Sequence, residues 1–95
     1  MREYELVYIV SPAVAAEEIE KITQRVAQLI ENGGGEVNQT DLWGRKRLAY
    51  PIQDFREGQY VALKLRLKPE AVRELERSLK LTEGVIRYLL VQVGK

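Results

Sequence analysis

The sequence predicts an α+β fold, a four-stranded antiparallel sheet with two helices on one face, and three observations carry that prediction. Two stretches space their apolar residues as a helix does. Four others are rich in β-branched, aromatic and leucine side chains with strand-like alternation. The six follow one another as strand, helix, strand, strand, helix, strand.

The first strand is YELVYIV, residues 4–10. Tyr4, Leu6, Tyr8 and Val10 form one alternating set and Val7 and Ile9 the other, so both faces are apolar and the strand belongs inside the sheet. The pattern then changes period. Ile19, Ile22, Val26, Leu29 and Ile30 fall on one stripe of a helix with Glu, Lys, Gln and Arg opposite. Ser11 and Pro12 suit its cap and first turn, with a start near Ala15 as the other option, and Gly33-Gly34-Gly35 stops it. The glycine run follows a helix, whereas phosphate-cradling loops precede one, so it reads as a cap.

From residue 36 to 52 the alternation is loose, and Gly44 in mid-strand signals a bulge or bend. DFREG, residues 54–58, reads as a turn. QYVALKLRL, residues 59–67, is the clearest strand: Val61, Leu63, Leu65 and Leu67 face one way, Tyr60, Ala62, Lys64 and Arg66 the other. Pro69 opens the second helix, where its fixed φ suits the first turn, and Glu70 favours the positive end of the dipole. Val72, Leu75 and Leu79 make its stripe, Gly84 marks its end, and VIRYLLVQV, residues 85–93, is a last strand apolar on both faces. Two similar halves with both helices on one sheet face give the ferredoxin-like βαββαβ arrangement, read as a single domain over residues 1–95.

Composition narrows the function classes. A chain of 95 residues, 45% hydrophobic and 31% charged, has one core and little room for a deep cavity, so function is expected on the surface. Without cysteine there is no thiolate nucleophile, thiolate metal site or disulfide, and without histidine the usual base near neutral pH and the commonest metal ligand are missing. No enzyme, cofactor, metal or small-molecule substrate is expected. No stretch approaches the roughly 20 apolar residues of a membrane span, and the opening residues do not resemble a secretion signal, so a soluble cytoplasmic protein with no membrane partner is expected.

The net charge of +1 conceals a segregation. Residues 44–68 hold seven cations (Arg45, Lys46, Arg47, Arg56, Lys64, Arg66, Lys68) against Asp54 and Glu57, a local +5, while the remainder carries −4. Successive strand residues point to opposite sides, so Arg45 and Arg47 share one face and Lys46 takes the other. A sheet core gains nothing from that pattern; an edge strand meeting a phosphate backbone uses both sides, and protection of the edge against pairing with other chains is the competing explanation. Trp43 just before the triplet, and Phe55 with Arg56 in the turn after it, supply aromatics suited to stacking on unpaired bases, although Trp43 also suits packing against the core. Lys21, Arg25, Arg73, Arg77 and Lys80 lie among acids on the helices and read as solvated faces.

If the helices cover Leu63, Leu65 and Leu67, the bare face presents Tyr60, Lys64 and Arg66, with Val7, Ile9, Arg87, Leu89 and Val91 from the neighbouring strands. Aliphatic side chains mixed with cations on an open face suit a protein partner, or pairing with a second copy.

Three segments carry a resemblance along nearly the whole chain: YELVYIV with proline at position 12, GRKRLAYPI followed by EGQYV, and ELERSLKLTEGVIRYLLV, residues 74–91. Together they resemble the family of the sixth protein of the bacterial small ribosomal subunit. The resemblance implies a ferredoxin-like protein that binds the central domain of small-subunit ribosomal RNA beside the eighteenth small-subunit protein, with which it forms a heterodimer. It implies that Arg45, Lys46 and Arg47 approach RNA phosphates, with Arg2 and Arg87 as further candidates, and that part of the exposed apolar surface docks the protein neighbour. Some relatives carry a long acidic C-terminal tail; here the sequence reads Val93-Gly94-Lys95, so no role of such a tail is carried over.

Other classes make different demands. A small phosphatase of similar topology needs arginine and glycine between the first strand and first helix, where this chain has SPAVAA. An RNA-recognition motif needs a Lys/Arg-Gly-Phe/Tyr pattern with exposed aromatics on its third strand, which GQYVALKLRL lacks. A non-ribosomal dimerisation or ligand-sensing module predicts a stable homodimer with no salt-sensitive affinity for RNA.

Overall fold

The computed structural model describes residues 1–93. Gly94 and Lys95, which the expected 1–95 domain and the comparison with tailed relatives include, lie outside the described residues. The elements are β1 (Arg2–Val10), α1 (Ala16–Asn32), β2 (Glu36–Ile52), β3 (Phe55–Leu67), α2 (Pro69–Leu81) and β4 (Val85–Gln92). They form one sheet in the order β2-β3-β1-β4, every neighbouring pair antiparallel, so β1 is central and β2 and β4 are the edges.

Parity along the strands builds the core. Tyr4 pairs with Leu65, Leu6 with Leu63 and Tyr8 with Val61, so the apolar sets of β1 and β3 fall on the same side. A slip of one residue would turn both sets away from the helices. Ile22, Val26 and Ile30 of α1 and Leu75 and Leu79 of α2 close over them. Tyr8 is fully buried, with its phenol 2.7 Å from Thr23 Oγ1. Burial pushes this phenol's pKa above its ordinary value, against the opposing effect of the Thr23 hydrogen bond.

Of the two starts open to α1, the later one holds: Ala15 is the N-cap, and Ser11 closes the preceding loop by accepting the Ala13 N–H at 3.1 Å. The second helix begins at Pro69 as expected and ends at Leu81, and Thr82 beyond it donates its hydroxyl to the Ser78 carbonyl at 2.7 Å.

One element is corrected. Residues 54–58 are not the turn; the chain reverses in two residues, Gln53 and Asp54, both at positive φ (50° and 71°). A two-residue loop with both φ values positive matches the twist of its flanking strands, and Asp is among the residues that tolerate this region. Phe55 and Arg56 therefore open β3, and the ladder continues through Arg47–Glu57, Lys46–Gly58 and Arg45–Gln59. Because β1 ends opposite Gln59, residues 55–58 and their β2 partners run on as a two-stranded ribbon. The ribbon curls over one end of the sheet face that the helices leave open: Leu48 and Ile9, each only 8% exposed, both lie against Gly58, and Tyr50 reaches across to Arg87 of β4. Among the described residues no helix is long and apolar enough to cross a membrane.

Candidate nucleic-acid interface

The basic triplet sits on edge strand β2, just after a bulge where Gly44 takes φ +81°, a conformation that side-chain-bearing residues rarely adopt. Arg45 stands opposite Gln59 and Arg47 opposite Glu57. Gln59 belongs to the helix side, where its amide nitrogen donates to the carbonyls of Ser11 and Val14, each at 3.0 Å. Arg45 and Arg47 therefore share the helix side, and Lys46, opposite Gly58, takes the open side. This is the alternation expected from the sequence.

The three cations are held differently. Arg45 donates from Nη2 to the Pro12 carbonyl at 3.2 Å, and its Nε lies 3.9 Å from Glu57 Oε1, so its guanidinium rests against the β1–α1 loop. Lys46 Nζ sits 5.0 Å from the centroid of the Trp43 ring. Arg47 makes no ion pair among the described residues. Trp43 is 48% exposed and stacks on Tyr60, centroids 6.1 Å apart and planes 17° from parallel, so of its two expected roles the structure places it on the open surface and not in the core.

Arg56 joins the triplet from the facing strand of the ribbon, where Phe55, partly buried, pairs with Ile52. Arg87 arrives from β4: it pairs with Ile9, whose other neighbour is Tyr60. Its guanidinium donates to the Tyr50 hydroxyl and lies 5.8 Å from the centre of that ring. Five cations thus gather at this end of the sheet, with Asp54 and Glu57 as the acids of the ribbon. Arg2 is not among them. It pairs with Leu67 at the other end of β1, eight residues from Val10 or about 26 Å along an extended strand, and it donates to Gln92 at 3.3 Å.

The open face divides along its length. Lys64 and Arg66 are paired with Glu5 and Glu3 of β1, and Arg66 also lies 3.6 Å from Glu36, so that end mixes both signs of charge. In the middle, Val7, Leu89 and Val91 border a shallow hollow of about 290 Å³ with Trp43, and Leu89 and Val91 are 60% and 47% exposed. Ile9 does not contribute to this surface. It was expected on the open side, and it does point there, but the ribbon covers it. Sequence reading also missed Leu48 and Tyr50, although Leu48, Tyr50 and Ile52 recur at every second position, and all three border the space between the ribbon and the sheet.

Among the described residues no group of three or more acidic, histidine or cysteine side chains is placed to hold a metal. The site's chemistry is cation, aromatic ring and hydrocarbon.

Residues 3–92 match the family model described as Ribosomal protein S6. The small ribosomal subunit protein bS6 of Moorella thermoacetica is 41% identical over 93 residues, which cover 98% of this chain and 95% of that one. The crystal structure of 30S ribosomal protein S6 from Thermotoga maritima superimposes with a TM-score of 0.91 at 32% identity, covering 96% of this chain and 86% of that one. The C-terminal domain of the MgtC protein from Mycobacterium tuberculosis, at TM-score 0.66 and 13% identity over 97% of this chain and 87% of that one, shares the fold alone. The relatives that share the sequence are ribosomal proteins and not enzymes, which sets aside both the phosphatase and the non-ribosomal module. Sequence and fold agree along nearly the whole length: this chain belongs to the ribosomal protein S6 family of the bacterial small subunit.

Proposed function

We propose that the ribbon end of the sheet binds the central domain of small-subunit ribosomal RNA, and that the apolar middle of the open face docks the eighteenth small-subunit protein as a heterodimer. The observation that carries the RNA reading is the gathering of Arg45, Lys46, Arg47 and Arg56 on a ribbon that projects past the central strand, with Arg87 of β4 at the same end of the molecule, on the border with the docking face. Cations on both sides of an edge strand let a phosphate backbone approach from either face. Trp43 and Phe55 add rings for stacking, with Trp43 already layered on Tyr60. Arg2, at the far end, meets the same RNA only where the strand runs the length of the sheet. The protein partner takes Val7, Tyr60, Leu89 and Val91, with Lys64 and Arg66 at the rim and Ile9 buried beneath. The reading involves no cofactor, metal or small-molecule substrate.

The test is a footprint on small-subunit ribosomal RNA, with and without the eighteenth protein, for the natural chain and for the double variant Arg45→Glu, Arg47→Glu. Protection within the central domain, lost in the variant, is the expected result. Unchanged affinity and unchanged salt dependence in the variant would remove the proposed site.

A further inference from the structure

Between the ribbon and the sheet lies a cleft of about 300 Å³, walled by Ile9, Leu48, Tyr60 and Leu89, with the exposed pair Tyr50 and Arg87 beside it. Its walls are mostly hydrocarbon. Arg87 contacts the Tyr50 ring and hydroxyl, yet among the described residues it makes no ion pair, whereas Arg45 and Arg66 both have carboxylates within 4 Å. An uncompensated guanidinium at the side of an apolar cleft selects an occupant with an apolar body and a negative charge close to it.

We propose that this cleft anchors a peptide segment of the protein partner, with one bulky apolar side chain inserted beneath the ribbon and an adjacent carboxylate paired with Arg87. The inference rests on the reading that the open face docks a protein. The volume is at the low end for ligand pockets, with room for one large side chain. A nucleotide base would also fit by size, but a base presents both donors and acceptors along its edges, and besides phenol hydroxyls these side chains offer only the Arg87 guanidinium, which donates and cannot accept. A leucine or phenylalanine side chain needs no such partners, and a buried apolar anchor beside a charge-assisted contact is how protein interfaces concentrate their affinity. The cleft is also continuous with the proposed docking surface, since Val7 and Leu89 border both it and the neighbouring hollow.

The experiment titrates the isotope-labelled full chain with the blocked tetrapeptide acetyl-Gly-Phe-Asp-Gly-amide and follows amide shifts by NMR. Shifts are expected at Ile9, Leu48, Tyr50 and Arg87, with binding about threefold weaker for the Asn analogue of the peptide and for Arg87→Gln, the size of one exposed ion pair. A peptide with Ala in place of Phe should not shift these amides. Equal response to all three peptides, or adenosine monophosphate binding in the cleft more tightly than the Phe-Asp peptide, would overturn the inference. A second arm separates it from the reading beneath it: heterodimer formation with the eighteenth protein, measured for the natural chain and Arg87→Gln. A weaker complex for the variant supports the anchor. Equal complexes refute the anchor and leave the docking face standing, and absence of any complex refutes both.

Discussion

Neutralising the triplet one residue at a time tests whether each cation meets a phosphate with its full charge. Counterion release makes log affinity fall linearly with log salt, by about 0.7 per neutralised phosphate on a single strand and about 0.9 on a duplex. Arg47 makes no ion pair among the described residues, so Arg47→Gln should flatten that slope by a full increment. Between about 50 and 200 mM salt this means a penalty roughly threefold larger at the low-salt end. Arg45 differs, because Glu57 lies 3.9 Å from its Nε and would compete with a phosphate for the same guanidinium. Both side chains are at least half exposed and the pair is worth at most about 1 kcal/mol, but it would offset part of the charge presented to a phosphate. Arg45→Gln should therefore flatten the slope by less than Arg47→Gln, and Glu57→Gln should steepen it and raise affinity. The assay is fluorescence anisotropy with a labelled fragment of the central domain over that salt range, using Arg77→Gln on α2 as the control. Equal slopes for the natural chain and all the triplet variants, or a change at Arg77 as large as that at Arg47, would refute this assignment of phosphate contacts.

Three further outcomes follow from the packing. Leu48→Ala removes the buried side chain under the ribbon and should cost about 2 kcal/mol in urea unfolding, the lower end for a core leucine because the ribbon can settle into the gap, with faster amide exchange in residues 45–57. Gly58→Ala would set a Cβ into Ile9 Cγ2 and should destabilise by about 1–3 kcal/mol; in an Ile9→Ala background the same change should cost much less, which double-mutant unfolding measures. The Tyr8 phenol has its pKa raised in the fold, so its contribution to stability is fully present below the ordinary phenol value of about 10 and is lost as pH rises through the folded value. Chemical denaturation from about pH 9 to 11 should show a smaller alkaline loss for Tyr8→Phe than for the natural chain.

How far the sequence reaches is clearest strand by strand. The central place of β1 was legible because both of its faces are apolar, and the sidedness of β3 because its alternation is unbroken. The site was legible where it depends on parity alone: Arg45 and Arg47 on one side, Lys46 on the other. What escaped depended on pairing. Gly58 carries the composition of a turn residue, but its missing side chain makes room for Ile9, a contact between residues far apart in the chain. Ile9 was placed on the correct side of the sheet, yet its burial follows from a ribbon whose curl no local pattern encodes. Arg2 shares a charge with the cluster, but only the antiparallel register puts it at the opposite end. The tie between Arg45 and the Pro12 carbonyl likewise joins segments that meet only in the folded chain.

The ribbon's connectivity bears on how this cluster of charge comes into being. Four of its five cations sit on two adjacent stretches joined by a two-residue reversal, whereas pairing of β1 with β4 must bring together residues some eighty positions apart. Closing a short hairpin loses little chain entropy and takes microseconds. Most of the charged surface can thus take shape from neighbouring residues alone, and Arg87, supplied by the last strand, completes it when the sheet closes.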